Sequence, residues 1–268
     1  MPNLSPARAG VPILSELPLL HRGKVRDTYD LGDGYLLVVA TDAISIFDFV
    51  LNALIPQKGA VLTLMSYFWF MLLREHDITT HFVAAGRQID DFLPRHLRGN
   101  PDLQCRAMVV RRLEMAPVEF IARGYFLTSS SSLRAYPGNR MICGHELPEG
   151  LEDGDRLPRI IDTPTTKAEV GHDLPLDASE IRAKYPRHTQ IFLEAFSLIS
   201  DHALSRNIIL ADTKMELGRL PHGAVVLGDE VGTPDSSRFW DLHGWHLGTQ
   251  VSPHKSPPPF DKQLVRQF

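Results

Sequence analysis

Ile208-Ile-Leu-Ala-Asp212-Thr-Lys214-Met-Glu216-Leu-Gly218 begins as a buried strand and continues as a charged one. Side chains alternate between the faces of a strand, so Asp212, Lys214 and Glu216 project from one side. A few residues on, Val225-Val-Leu-Gly-Asp229-Glu230 is a second apolar strand ending in carboxylates. Pairing the two as a hairpin brings Asp229 or Glu230 towards Asp212 or Glu216. Carboxylates gathered beside a single lysine repel one another unless a cation sits among them. Mg2+ is characteristically held by one or two carboxylates plus substrate phosphates, and a lysine on the same face then reaches phosphate oxygens. The pattern reads as a metal–nucleotide site. The plain alternative is a solvent-facing ladder of ion pairs.

Working outward, residues 24–40 read as a β-hairpin turning at Gly32-Asp-Gly34. Residues 41–58 are loop-like, and 60–75 form an apolar helix. Residues 105–113 and 117–126 read as strands separated by a turn or hinge at Pro117. Residues 127–176 lack periodicity and mix Lys167, Glu169, His172 and Asp173, which suits a functional loop set. Residues 188–205 make an amphipathic helix with Phe192, Ala195, Phe196, Ile199 and Ala203 on one face. Strands follow at about 207–217 and 224–231, and 233–268 reads as mostly turn and loop. Helices and strands mix without strict βαβ alternation, so the fold class is α+β rather than doubly wound. The break near 112–117 divides an N-terminal, mainly antiparallel lobe (1–112) from a C-terminal α+β lobe (113–268).

Composition narrows the function. The 268 residues carry 28 basic and 32 acidic side chains, a net charge of −4. That argues against a general grip on nucleic acid or an anionic membrane. The longest apolar run, 61–73, is too short to span a bilayer. The two cysteines, Cys105 and Cys143, suit free thiols in a reducing compartment. With no signal-peptide pattern at the start, the expected location is the cytoplasm. Walker A, kinase catalytic-loop, Gly-x-Ser-x-Gly and Gly-x-Gly-x-x-Gly patterns are absent.

Other segments add chemistry. Gly23-Lys24-Val-Arg26 places two cations on one strand face beside a glycine that permits close approach to a phosphate. Arg123-Gly-Tyr and Asp235-Ser-Ser-Arg238 offer arginines suited to bidentate recognition of carboxylate or phosphate. His172-Asp173 offers an acid–base pair, although adjacent residues need not face each other. His243 and His246 lack the further ligands a zinc site needs.

In order along the chain stand Gly23-Lys-Val-Arg-Asp-Thr-Tyr, Thr41-Asp-Ala-Ile-Ser-Ile-Phe-Asp, Lys58-Gly-Ala-Val-Leu-Thr and Arg123-Gly-Tyr. Then come Leu147-Pro-Glu-Gly-Leu, Thr163-Pro-Thr-Thr-Lys-Ala-Glu, Leu210-Ala-Asp-Thr-Lys-Met-Glu-Leu-Gly and Gly228-Asp-Glu-Val-Gly-Thr-Pro-Asp-Ser-Ser-Arg-Phe-Trp. This ordered set resembles the SAICAR synthetase family of purine biosynthesis over roughly residues 20–265. The resemblance implies a two-lobed α+β fold related to kinase-like and ATP-grasp enzymes, with ATP in the cleft. It implies a ligase joining a carboxyaminoimidazole ribonucleotide to aspartate with ATP and Mg2+. Its partners are small molecules, an azole nucleotide carboxylate and aspartate or a related amine, and a homo-oligomer is compatible with it.

The resemblance also implies roles for individual residues. Gly23, Lys24, Arg26 and Lys214 would meet ATP phosphates, and the segment containing Arg112 and Glu114 would cradle adenine. Glu216 and Asp229 would hold Mg2+. Arg123, Arg238 and a serine, Ser129 or Ser130, would hold the ribose phosphate. Asp42, Ser45, Lys167, His172, Asp173, Asp212 and Asp235 would line the substrates. Lys214, Asp212 and Arg238 would carry catalysis. Some positions depart from the family pattern. Ala43 replaces an arginine, Ile46 a small residue, the segment after Tyr125 lacks its Thr-Gly-Ser turn, and Leu174-Pro175 alters the His-Asp loop. These changes motivate a runner-up, a paralogue acting on a related azole nucleotide or another amine. A non-catalytic nucleotide-binding regulator and a kinase that stops at phosphorylation are alternatives of other classes.

Overall fold

The computed structural model describes Leu14 and residues 16–46, 49–167, 172–251 and 256–260. The chain divides into two compact units. The first comprises Met1–Glu75, Thr80–Leu113 and Phe268; the second comprises His76–Thr79 and Glu114–Gln267.

The first unit contains β1 (Leu19–Arg22), β2 (Arg26–Gly32), β3 (Tyr35–Ala40), β4 (Ala43–Ile46), β5 (Phe49–Leu54), α1 (Lys58–Glu75), β6 (Phe82–Ala85), α2 (Pro101–Arg106) and β7 (Ala107–Arg111). Five of the strands form a sheet in the order β1-β2-β3-β7-β6. The hairpin expected over 24–40 is present. Its turn takes Gly32, Asp33 and Gly34 through φ of 79°, 52° and 78°, where glycine is at no steric cost. Leu37 and Val39 of β3 are fully buried with Val109 and Ala107 of β7.

Two expectations are corrected here. Residues 43–46 and 49–54 pair as antiparallel strands, not as a loop, with Ser45 opposite Val50. Of the polar residues that suggested a loop, Ser45 is taken up in the pairing, Asp42 precedes β4, Lys58 and Gly59 open α1, and Asp48 lies outside the described residues. Residues 105–106 end a helix instead of starting a strand. The Asn100 side chain accepts from the Asp102 and Leu103 amides and Pro101 opens the first turn, a standard helix start.

The second unit contains β8 (Glu114–Met115), β9 (Val118–Tyr125), β10 (Met141–Ile142), β11 (His145–Glu146), β12 (Arg156–Asp162), β13 (Thr165–Thr166), α3 (Ala178–Lys184), α4 (Pro186–Leu204), β14 (Ile208–Arg219), β15 (Val225–Gly228), β16 (Ser237–Asp241) and α5 (Leu242–Val251). β14 is its spine, pairing with β8, β9, β15 and β16, all antiparallel. Helix α4 buries Phe192 and Phe196, and Phe192 meets Phe120 of β9 at 5.8 Å between ring centroids.

The 127–176 stretch is less irregular than its sequence suggests. It holds the β10–β11 hairpin and β12, which the Leu-Pro pairs obscure. Pairing of β12 with β9 shifts register between Arg156 and Ile161, so Pro158 sits where no ladder bond is required. The segment after 233 likewise contains β16 and α5 rather than turn and loop throughout. Strand β15 stops at Gly228, sooner than expected, because Asp229 turns to φ 51°. Both cysteines are free thiols, and no helix among the described residues is long and apolar enough to cross a membrane.

Candidate functional site

Antiparallel register sets Asp212 of β14 directly opposite Arg123 of β9 on one side and Arg238 of β16 on the other. One carboxylate oxygen, Oδ2, accepts from both guanidinium groups: from Arg123 in a short contact, and from Arg238 Nη1 at 2.6 Å. Arg123 also donates from Nε to Thr163 Oγ1 at 2.8 Å. Its side chain is 4% exposed and that of Asp212 is 9% exposed. Burial pulls the Arg123 pKa down, Asp212 pushes it back up, and the neighbouring Arg238 adds to the downward pull. Two cations around one carboxylate leave a positive charge in excess in a largely desolvated place. An uncompensated buried charge is costly, and paired guanidinium groups are chemically suited to an anion.

Next along the same strand, Lys214 Nζ stands 2.7 Å from Glu119 of β9 and 3.3 Å from Glu216. Glu216 also pairs with Lys167, whose side chain is exposed. Burial works against the Lys214 charge, yet Glu119, Glu216 and Asp229 outweigh it and lift its pKa above the ordinary lysine value. For Glu216, burial pushes upward, but Lys214 and Lys167 prevail and hold the carboxyl low. Two lysines, Lys214 and Lys167, face three carboxylates, Glu119, Glu216 and Asp229, so the group keeps a net negative charge. The donor set still fits Mg2+. Glu216 and Asp229 act on the same lysine, and Mg2+ usually takes one or two carboxylates and completes its shell with water and phosphate. Consistently, no group of three or more His, Cys, Asp or Glu among the described residues forms a ready-made cage.

The remaining expected residues are placed as follows. Gly23 N donates to Arg26 O at 2.8 Å, closing a tight loop around Lys24 at the start of β2. A Cβ on Gly23 would lie 2.9 Å from that oxygen, so glycine is needed there. Arg112 pairs with Asp30 at 2.8 Å, and Glu114 begins β8. Asp42 is engaged within the first unit. It accepts from the Gln57 and Gly59 amides at the start of α1 and pairs with Arg106 at 3.0 Å. Ser45 is buried in β4.

Ser130 is buried and Ser129 exposed. Among the described residues no hydrogen bond connects either to Arg123 or Arg238. His172 and Asp173 are exposed beside Leu174, whose carbonyl accepts from the Thr166 amide and whose amide donates to Thr166 Oγ1, while Glu169 lies outside the described residues. Asp235 is half-buried, and its amide donates to Thr233 Oγ1 at 3.3 Å. Sequence reasoning missed Glu119 as the partner of Lys214 and Thr163 as the partner of Arg123. Period-two alternation places Glu119 and Arg123 on one face of β9, a signal that was available but has no meaning until β9 is paired with β14.

The SAICAR synthetase family model matches residues 19–268. The chain belongs to the SAICAR synthetase family. A phosphoribosylaminoimidazole-succinocarboxamide synthase of Halorhodospira halophila is 43% identical over 265 residues, covering 94% of this chain and 83% of the relative. Another, of Saccharopolyspora erythraea, is 43% identical over 261 residues, covering 95% and 82%. Among solved structures, the SAICAR synthase of Saccharomyces cerevisiae complexed with SAICAR superposes with a TM-score of 0.82 at 33% identity, covering 97% of this chain and 86% of that one. A SAICAR synthetase in complex with ADP shares the fold, with a TM-score of 0.68 at 24% identity over 92% of this chain and 89% of its own.

Proposed function

We propose that this chain is an ATP-dependent carbon–nitrogen ligase that joins a carboxyaminoimidazole ribonucleotide to L-aspartate, giving the succinocarboxamide, ADP and phosphate. The observation that carries the reading is the Arg123–Asp212–Arg238 cluster, with its excess positive charge, set one rung from the Lys214–Glu216 ladder on the same strand. Family membership supplies the reaction; the cluster supplies the places for its anions.

The chemical obstacle is that a carboxylate is a poor electrophile. Transfer of the ATP γ-phosphoryl to the substrate carboxylate gives an acyl phosphate. The aspartate amine then attacks the acyl carbon, the carbon–oxygen bond to phosphate breaks, and phosphate leaves with the electron pair. The amine proton passes to a carboxylate or to phosphate. The protein's part is to position the reactants, neutralise charge and exclude water from the acyl phosphate.

In this reading Arg123 and Arg238 hold the ribose phosphate while Asp212 accepts from both guanidinium groups and bonds substrate groups. Lys214 meets ATP phosphate oxygens. Glu216 and Asp229 would hold Mg2+, which neutralises charge on the phosphates. Lys167, Asp173 and Asp235 are assigned to the substrates.

The test is to incubate the protein with MgATP and the carboxyaminoimidazole nucleotide, with and without aspartate, following ADP and product mass. Aspartate-dependent succinocarboxamide formation is expected. Turnover only with another amine or azole, a persistent phosphorylated product, or nucleotide binding without turnover would each replace this reading. The two relatives described above share one name, and neither supports a specialised paralogue, a kinase or a non-catalytic regulator.

A further inference from the structure

We propose that Thr163 is a positioning residue that fixes the orientation of the Arg123 guanidinium and thereby tunes affinity for the phosphate of the nucleotide substrate. The proposal rests on the reading that Arg123 holds that phosphate. A guanidinium offers five donors in a rigid fork, and the direction of the fork decides whether an anion can be met edge-on. In this fork Nε is committed to Thr163 Oγ1 at 2.8 Å and Nη1 to Asp212. One attachment at Nη1 would leave the group free to swing about its last torsions. The second, at Nε, removes that freedom.

The acceptor is itself held from several sides. Thr163 is fully buried, and its amide donates to Ile121 O at 2.8 Å, tying it to β9 two residues before Arg123. The preceding residue, Asp162, ends β12 opposite Ala122. Its buried carboxylate takes His145 Nε2 at 2.9 Å and Arg182 Nε at 3.0 Å. Arg182 lies on α3, which is capped by the Asp177 side chain. Thr163 therefore stands at the end of a chain of contacts that runs from the exposed Arg182 of α3 and the buried His145 of β11 through Asp162 to the arginine.

The chemistry of the acceptor matters as much as its position. A carboxylate at 163 would orient Arg123 equally well but would cancel the positive charge left over by Asp212. A hydroxyl orients the group and leaves the charge for a ligand. A threonine that only filled the core would contribute packing and nothing specific to one substrate.

The experiment compares Thr163→Val, which keeps the shape and deletes the acceptor, with Thr163→Ser, which keeps the acceptor, and Thr163→Cys as a second acceptor-poor variant. KM for each substrate, kcat and thermal melting are measured on each. For Thr163→Val or Thr163→Cys the KM for the azole nucleotide is expected to rise about tenfold or more, with the values for ATP and aspartate within about twofold of the parent. Thr163→Ser should restore the nucleotide KM to within about twofold. An unchanged nucleotide KM in a folded acceptor-poor variant overturns the proposal. So does an equal loss for all three substrates that tracks a fall in melting temperature, which marks a packing role. Arg123→Lys separates the two levels: an unchanged nucleotide KM there overturns the phosphate reading itself.

Discussion

Glu119 of β9 accepts from Lys214 Nζ at 2.7 Å across the β9–β14 pair, although 95 residues of chain separate them. With Glu216 also bonded to the same ammonium, the half-buried lysine is held charged. The ladder is thus built before any ligand arrives, and its members can be tested one at a time.

Glu216→Ala should lower turnover by about 100-fold or more, in line with the loss of a preorganised charged group at a reacting centre. Circular dichroism should show the fold retained, and added Mg2+ should fail to restore the rate. Near-parental activity would remove Glu216 from the metal assignment.

Asp212→Asn leaves two neighbouring arginines without their shared counter-charge. Breaking such a buried arrangement typically costs about 3–5 kcal/mol. We expect a lower melting temperature in a buffer free of multivalent anions. Inorganic phosphate should raise it more in Asp212→Asn than in the parent, because the variant has the greater excess of positive charge. Equal phosphate responses would count against an anion site at this cluster.

Acid should unfold the protein through particular carboxylates. At Asp162 burial pushes the pKa up, but hydrogen bonds from His145 and Arg182 with the Arg182 charge hold it below the ordinary value. Glu216 is held low by its two lysines against the same burial. A depressed carboxyl pKa contributes stability that is present above the unfolded-state value, near pH 4, and is lost as pH falls through the folded-state value. Unfolding free energy from denaturant titrations should therefore drop steeply below about pH 4. The Asp162→Asn variant should show a shallower acid limb.

Asp42 serves the first unit as a remote cap for α1 and as the partner of Arg106. Asp42→Ala should cost about 1–3 kcal/mol of stability, read from denaturant titration. Gly59, whose amide meets Asp42, has no room for a side chain: a Cβ would lie 2.5 Å from Ala40 O. Gly59→Ala should destabilise by about 1–3 kcal/mol through the backbone shift it forces. A loss of activity in Asp42→Ala with unchanged melting would point instead to contact with substrate.

Local patterns determined what depends on local geometry. Alternation along residues 208–218 placed Asp212, Lys214 and Glu216 together, the glycine-rich turn fixed the first hairpin, and amphipathic spacing marked α4. The ordered motifs identified the family without any contact being known. Short strands hidden among polar residues or prolines were invisible by the same logic, as β4, β5 and β12 show, because pairing partners and not composition made them strands. The partners of the charged side chains belonged to tertiary structure alone. Period two specifies the face on which a residue stands but not the strand beside it. Arg123 and Asp212 lie 89 positions apart, and only the antiparallel register of β9, β14 and β16 makes them neighbours. That register set Lys214 and Lys167 among the expected carboxylates, and set Arg123 and Arg238 on either side of Asp212.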